Sequence, residues 1–161
     1  MEPMTTITPC LWFDTQAQEA ANFYITVFPD SRITGITHYG EAGPRPADMV
    51  LTVEFELDGN PFTALNGGPE FSFSHAVSFQ IDCADQAEVD RYWQALTADG
   101  GQEDMCGWLK DRYGLSWQVV PRRLVELLAD PDPARAQRAM AAMMPMRKIV
   151  IAEIEAAADS A

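Results

Sequence analysis

A chain of 161 residues, 47% hydrophobic and 22% charged, is long enough for one domain or for two small modules sharing a core. Its 24 acidic against 11 basic residues leave a net charge of -13, a surface that repels phosphate backbones and anionic lipid, so neither nucleic acid nor membrane is an expected partner. No apolar run approaches the about 20 residues that cross a bilayer. The start, Met1-Glu2-Pro3-Met4-Thr5-Thr6, has no signal-peptide character, and Cys10, Cys83 and Cys106 show no disulfide spacing, so a reduced cytoplasmic protein is expected.

In chain order, Ile7 to Phe13 reads as a strand that stops at Asp14-Thr15. Ala17, Ala20, Ala21, Tyr24, Val27 and Phe28 recur at helical spacing up to Pro29-Asp30. Arg32 to Tyr39 reads as a strand and Gly40 to Pro46 as a loop. Met49 to Leu57 and Pro61 to Asn66 form a hairpin across Asp58-Gly59-Asn60, and Gly67-Gly68-Pro69 closes this half. The pattern then restarts. His75 to Ile81 is a strand ended by Asp82, and Asp85 with Glu88 reads as a capping box. Val89, Tyr92, Trp93 and Leu96 make a helical stripe that Gly100-Gly101 stops. Cys106 to Lys110 and Leu115 to Val120 form a second hairpin around Tyr113-Gly114.

The two halves share a register. Asp14 and Asp82 end matching strands, Glu19, Phe23 and Tyr24 match Glu88, Tyr92 and Trp93 at one constant offset, and Gly59 matches Gly114. A duplicated β-α-β-β unit explains this agreement, and its two copies are expected to form one ligand-sized pocket. After Pro121, Arg122 to Leu128, Ala134 to Met144 and Met146 to Ala158 read as helices of a tail that packs on the sheet or on a second subunit.

Strand alternation sorts the candidate pocket residues. Thr8, Cys10 and Trp12 share one face of the first strand, and Pro9, Leu11 and Phe13 the other. Ala76, Ser78 and Gln80 are likewise separated from Val77, Phe79 and Ile81. The apolar faces should meet the helices. The mixed faces, with Ser116 and Gln118 on the last strand, should line the pocket and suit a small, partly apolar ligand; a filled core with satisfied polar groups is the plainer alternative. Cys10 and Cys106 read as structural thiols, having no His or Lys placed to activate them. His75, read as a strand residue, should point away from the mixed face; it and His38 suit surface positions, with a base role open for His75. Met140, Met143 and Met144 form a packing stripe, and Glu54 and Glu56 fit half-exposed strand patterning.

Ile7-Thr8-Pro9-Cys10-Leu11-Trp12-Phe13-Asp14 followed by Ala20-Ala21-Asn22-Phe23-Tyr24 resembles the opening of PhnB-like proteins of the vicinal oxygen chelate superfamily, which includes glyoxalase I, bleomycin-resistance proteins and extradiol dioxygenases. Leu51 to Gly59, Phe62 to Pro69, Cys106 to Asp111 and Gly114 to Pro121 extend the resemblance along nearly the whole chain. It implies an α+β fold of paired βαβββ modules in a curled mixed sheet, as one domain over residues 1–161. Module 1 covers about 5–70, module 2 about 74–121 and a helical tail about 122–158. It also implies a homodimer. Thr63, Cys106 and Trp108 join Cys10, Trp12, Ser78, Gln80, Ser116 and Gln118 as ligand-binding candidates.

The superfamily's chemistry normally uses a divalent metal on His, Glu or Gln from four strands, with donors converging at about 2.0–2.2 Å. The resemblance places those ligands at Thr8, Thr63, Ala76 and Gln118. Only Gln118 is a metal donor of that kind, so no metal and no other cofactor are expected. The branch is often labelled a demethylubiquinone methyltransferase, yet no Gly-x-Gly loop follows a strand here. Two functions compete: a metal-independent protein that binds or sequesters a small molecule, and a metal-dependent lyase, isomerase or dioxygenase-type enzyme acting on a small oxygenated substrate. A partner-binding dimer with a vestigial pocket is the third.

Overall fold

The computed structural model describes residues 5–160; Met1–Met4, part of the N-terminal stretch read above as no leader, lie outside them. The chain divides between Ser72 and Phe73 into two compact units. Among the described residues no helix is long and apolar enough to cross a membrane.

The first unit runs β1 (Cys10–Phe13), α1 (Ala17–Val27), β2 (Arg32–His38), β3 (Val50–Leu57) and β4 (Asn60–Asn66). Its sheet has the order β1-β4-β3-β2, with β1 parallel to β4 and the other pairs antiparallel. Two residues join β3 to β4. Asp58 and Gly59 have φ of 49° and 79°, the left-handed pair that a tight hairpin turn requires and that Asp-Gly supplies at least cost. The helix-facing side buries Leu11, Phe13, Val53, Phe55, Phe62 and Ala64 beneath Ala20, Ala21 and Tyr24 of α1. β1 is shorter than the expected Ile7–Phe13. Pro9 has no N–H to give a neighbouring strand, so ladder pairing begins at Cys10, while the Pro9 carbonyl still accepts from Thr63 N at 2.9 Å.

The second unit repeats the plan as β5 (Ser78–Cys83), α2 (Gln86–Thr97), β6 (Gln102–Glu103), β7 (Trp108–Lys110) and β8 (Ser116–Pro121), in the order β5-β8-β7-β6. The parallel pair is now β5 with β8. The capping box forms: Glu88 N donates to Asp85 Oδ1 at 2.9 Å, and Glu88 Oε2 accepts from Ala84 N at 2.8 Å. Both units are therefore βαβββ, and the fold is α+β with two four-stranded mixed sheets.

Further expectations change. The β-α-β-β repeat lacked β6, two exposed polar residues carrying no hydrophobic signal. Asp82 does not end its strand. It pairs with Val120 inside the ladder, its exposed carboxylate 2.8 Å from Arg122 Nε. Cys106 and Gly107 are loop rather than strand, with φ of 58° and 84°. Finally, residues 146–150 are not helical. Pro145 cannot extend α4, and the backbone that follows is drawn into docking contacts.

Those contacts seat the tail, α3 (Arg122–Leu128), α4 (Pro133–Met143) and α5 (Ile151–Asp159), on the second unit. Met146 O and Arg147 O accept from Cys106 N and Gly107 N. The Gln86 side chain donates to Ile149 O at 3.0 Å and accepts from Ile151 N at 2.8 Å, imitating a strand neighbour. A Cβ at Gly107 would lie 2.9 Å from Val119 O and 3.2 Å from Ile149 Cγ1, so the docked segment fits only over glycine. Leu124, Leu127, Ala139, Ile149, Ile154 and Ala158 form the tail's own apolar cluster, with Met143 packed against it. Met140 and Met144 of the expected stripe are exposed.

Candidate functional site

In the first unit, alternation on β1, β3 and β4 gives the face opposite α1 two cross-strand rows. One row is Cys10, Thr63 and Glu54; the next is Trp12, Leu65 and Thr52. Trp12 is fixed from three sides. Its Nε1 donates to Gly68 O at 2.9 Å, the Phe71 ring meets it edge-on at 5.0 Å, and a Cβ on Gly67 would fall 2.4–2.5 Å from its ring atoms. The ring thus lies directly on the Gly67-Gly68 backbone, and Phe71 beside it is 67% exposed. This aromatic corner beside polar Thr63 and Glu54 has the mixed chemistry of a ligand-contact surface.

In the second unit the matching face carries Lys110, Ser116 and Ser78 in one row, and Trp108, Gln118 and Gln80 in the next. Gln118 Nε2 donates to Ser78 Oγ at 2.9 Å, a contact that requires these two side chains to share the face. The opposite side is dry: Leu109, Trp117 and Val119 are buried there, and Phe79 packs on Trp117 at 5.6 Å.

Every strand candidate therefore falls on the expected face. Cys10, Trp12 and Thr63 come together in the first unit, and Ser78, Gln80, Trp108, Ser116 and Gln118 in the second. Cys106 does not join them. It sits in the loop before β7 and its Sγ donates to Met144 O at 3.4 Å. His75 also departs from the reading. It lies in a turn ahead of β5, where strand alternation does not apply, and its ring centroid is 6.4 Å from that of Trp108. Its Nε2 is 3.1 Å from Asp104 Oδ2. The backbone N–H of Met105, then His75, hold the Asp104 carboxyl below its usual range. Sequence reasoning missed this pair and also Lys110. The alternation that selected Trp108 would have selected Lys110 two residues on.

The positions where the resemblance places metal ligands do not fit a divalent ion. Thr8 is exposed and precedes β1, and Ala76 lies in the turn before β5 with no donor atom. Thr63 offers only a neutral hydroxyl, so Gln118, whose Nε2 donates to Ser78, leaves a single neutral amide oxygen as the one donor of the expected kind at these four positions. Among the described residues no three His, Cys, Asp or Glu side chains stand close enough to hold a metal. Thiol chemistry is equally unassisted. Burial raises the Cys10 thiol, and Cys83 is pushed up to about 12 by burial and by the nearby Glu88 and Asp82 carboxylates. Cys10 is nonetheless solvent-exposed and Cys83 buried, so in the native protein at neutral pH a thiol reagent is expected to label Cys10, more slowly than a free thiol, and to leave Cys83 unmodified until unfolding, as peptide mass mapping would show.

Comparison with curated proteins yields no match. A family model described as 3-demethylubiquinone-9 3-methyltransferase matches residues 5–120, leaving α3, α4 and α5 beyond its end. A PhnB protein from Bacillus cereus of known structure is 32% identical, with a TM-score of 0.66, covering 73% of this chain and 99% of its own. A Pseudomonas aeruginosa protein of known structure, 22% identical with a TM-score of 0.61, covers 73% of this chain and 98% of its own and has the same fold. With a repeated βαβββ plan, a family match across both units and a relative aligned over nearly its whole length, this chain belongs to the PhnB-like family of the vicinal oxygen chelate superfamily.

Proposed function

We propose that this protein binds a small, partly apolar molecule on the mixed faces of its sheets and does so without a metal. The donor set carries the reading: Thr8, Thr63, Ala76 and Gln118 stand where the superfamily's metal ligands are expected, and a single neutral amide oxygen is the one donor of the usual kind among them. Trp12 with Phe71, and Trp108 with His75, supply ring surfaces beside short polar side chains, the composition of a contact surface that orients a ligand through few hydrogen bonds. The reading includes a homodimer, which light scattering would test.

The methyl transfer named in the family description is the competing reading. The test is to screen small aromatic fragments against the 15N-labelled chain by amide chemical shift, with and without a chelator, and to recover each fragment afterwards. Shifts at residues of the mixed faces, unchanged by chelator and with the fragment returned intact, are expected. Binding or conversion only after addition of Mn, Ni, Zn or Fe(II), or methylation of a demethylubiquinone analogue in the presence of a methyl donor, would overturn the proposal.

A further inference from the structure

The second unit's mixed face concentrates hydrogen-bond donors that nothing in the fold uses. Ser116 is fully buried, yet its Oγ has no hydrogen-bond partner. A buried hydroxyl left this way is costly, and such groups in native folds point to a missing water, ion or ligand atom. On one side of Ser116 in the ladder stands Ser78, whose Oγ accepts from Gln118 and keeps its own proton to donate. On the other side stands Lys110. The chain's other lysine, Lys148, is paired with Asp90 at 2.9 Å, whereas the Lys110 side chain makes no ion pair or hydrogen bond among the described residues.

Asp104 is an acidic group that feels Lys110, but its oxygens are already engaged, Oδ1 by Met105 N and Oδ2 by His75. One ammonium and two hydroxyls thus form a row in a protein of net charge -13, and among the described residues no acceptor takes their protons. Next to this row lies Trp108, across from Gln118.

Resting on the binding reading above, we propose that Lys110, Ser116 and Ser78 form a carboxylate subsite, and that the ligand is a small aromatic acid whose ring lies along Trp108. The carboxylate meets Lys110 and Ser78 first and reaches the Ser116 hydroxyl as the row opens around it. Charge-assisted hydrogen bonds favour an anion there over a neutral amide of the same shape.

Benzoate and its neutral isostere benzamide are the probes, titrated into the full-length 15N-labelled protein with chelator present. Benzoate is expected to shift the amides of residues 108–118 and the Gln118 side chain, and to bind about tenfold or more tighter than benzamide, the advantage of one charge-assisted hydrogen bond. Lys110→Met should abolish that preference and Lys110→Arg should keep most of it, the amide spectrum confirming that each variant is folded. Ser116→Ala should weaken benzoate while leaving Tm unchanged or higher, because it removes a hydroxyl that has no partner. Equal affinity for the two probes, a preference that survives Lys110→Met, or no response to benzoate would overturn the carboxylate subsite and leave the binding reading standing. Benzoate binding that appears only after a divalent metal is added would sink that reading, and this subsite with it.

Discussion

Alanine at position 111 is expected to lower the unfolding free energy by about 3 kcal/mol or more, the range for breaking a buried hydrogen-bond network. Asp111 is buried between β7 and β8, and its carboxylate organises the connection. Oδ1 accepts from Tyr113 N at 2.8 Å and Leu115 N at 3.1 Å, while Oδ2 accepts from Trp117 Nε1 at 2.9 Å. Three donors would lose that acceptor together, two of them, Leu115 N and Trp117 Nε1, in buried hydrogen bonds. An asparagine side chain retains one acceptor oxygen but turns an NH2 group toward donors, so Asp111→Asn should fall between wild type and Asp111→Ala. Urea unfolding followed by tryptophan fluorescence measures both. A loss below about 1 kcal/mol for Asp111→Ala would show that the network is not a structural support. The effect bears on the site because this loop sets the start of β8, which carries Ser116 and Gln118.

Phe55→Ala is expected to cost about 3–5 kcal/mol, whereas Glu54→Ala beside it should change stability by no more than about 0.5 kcal/mol. Phe55 is fully buried, its ring 6.3 Å from that of Tyr24 and 5.5 Å from that of Phe62. Removing it opens a cavity between α1 and the sheet that rigid neighbours fill only in part. Glu54 points from the same strand to the other face, is exposed, and stands in the row with Thr63 and Cys10. The contrast separates the face that holds the fold from the face turned away from α1, where binding is proposed. Comparable losses at the two positions, by denaturant melts, would contradict that division.

The features legible in the sequence were those where local chemistry and tertiary structure ask for the same thing. Asp58-Gly59 announces a turn because both residues tolerate left-handed backbone, and the structure uses both that way. Asp85 and Glu88 announce a helix start because each satisfies an exposed N–H, and each does. The shared helix register reappears as the same strand order in both units, β1-β4-β3-β2 and β5-β8-β7-β6. Alternation separated the two faces of β1, β5 and β8 because the apolar side of each strand had a helix to meet.

What escaped the sequence depends on partners distant in the chain. β6 exists because Gln102 and Glu103 pair with Lys110 and Leu109, not because its residues favour a strand. Residues 146–150 read as helix by composition, yet Gln86 and the Cys106-Gly107 loop take up their backbone groups. His75 was assigned a direction by an alternation that begins only at Ser78, and its real surroundings, Asp104 and Trp108, come from later in the chain. Lys110 entered the sequence reading only as the last residue of a strand. Only the cross-strand register puts it beside a buried hydroxyl without a partner.

Elemental analysis of the full chain, purified without a metal-affinity tag and read beside thermal unfolding with added Mn, Ni, Zn and Fe(II), tests metal-free binding most directly. Divalent metal well below one ion per chain, with Tm unmoved by any of the four, is the expected result. One tightly held ion per chain together with a metal-dependent rise in Tm would contradict it, and would mean that Gln118 and groups outside the expected positions assemble a centre after all.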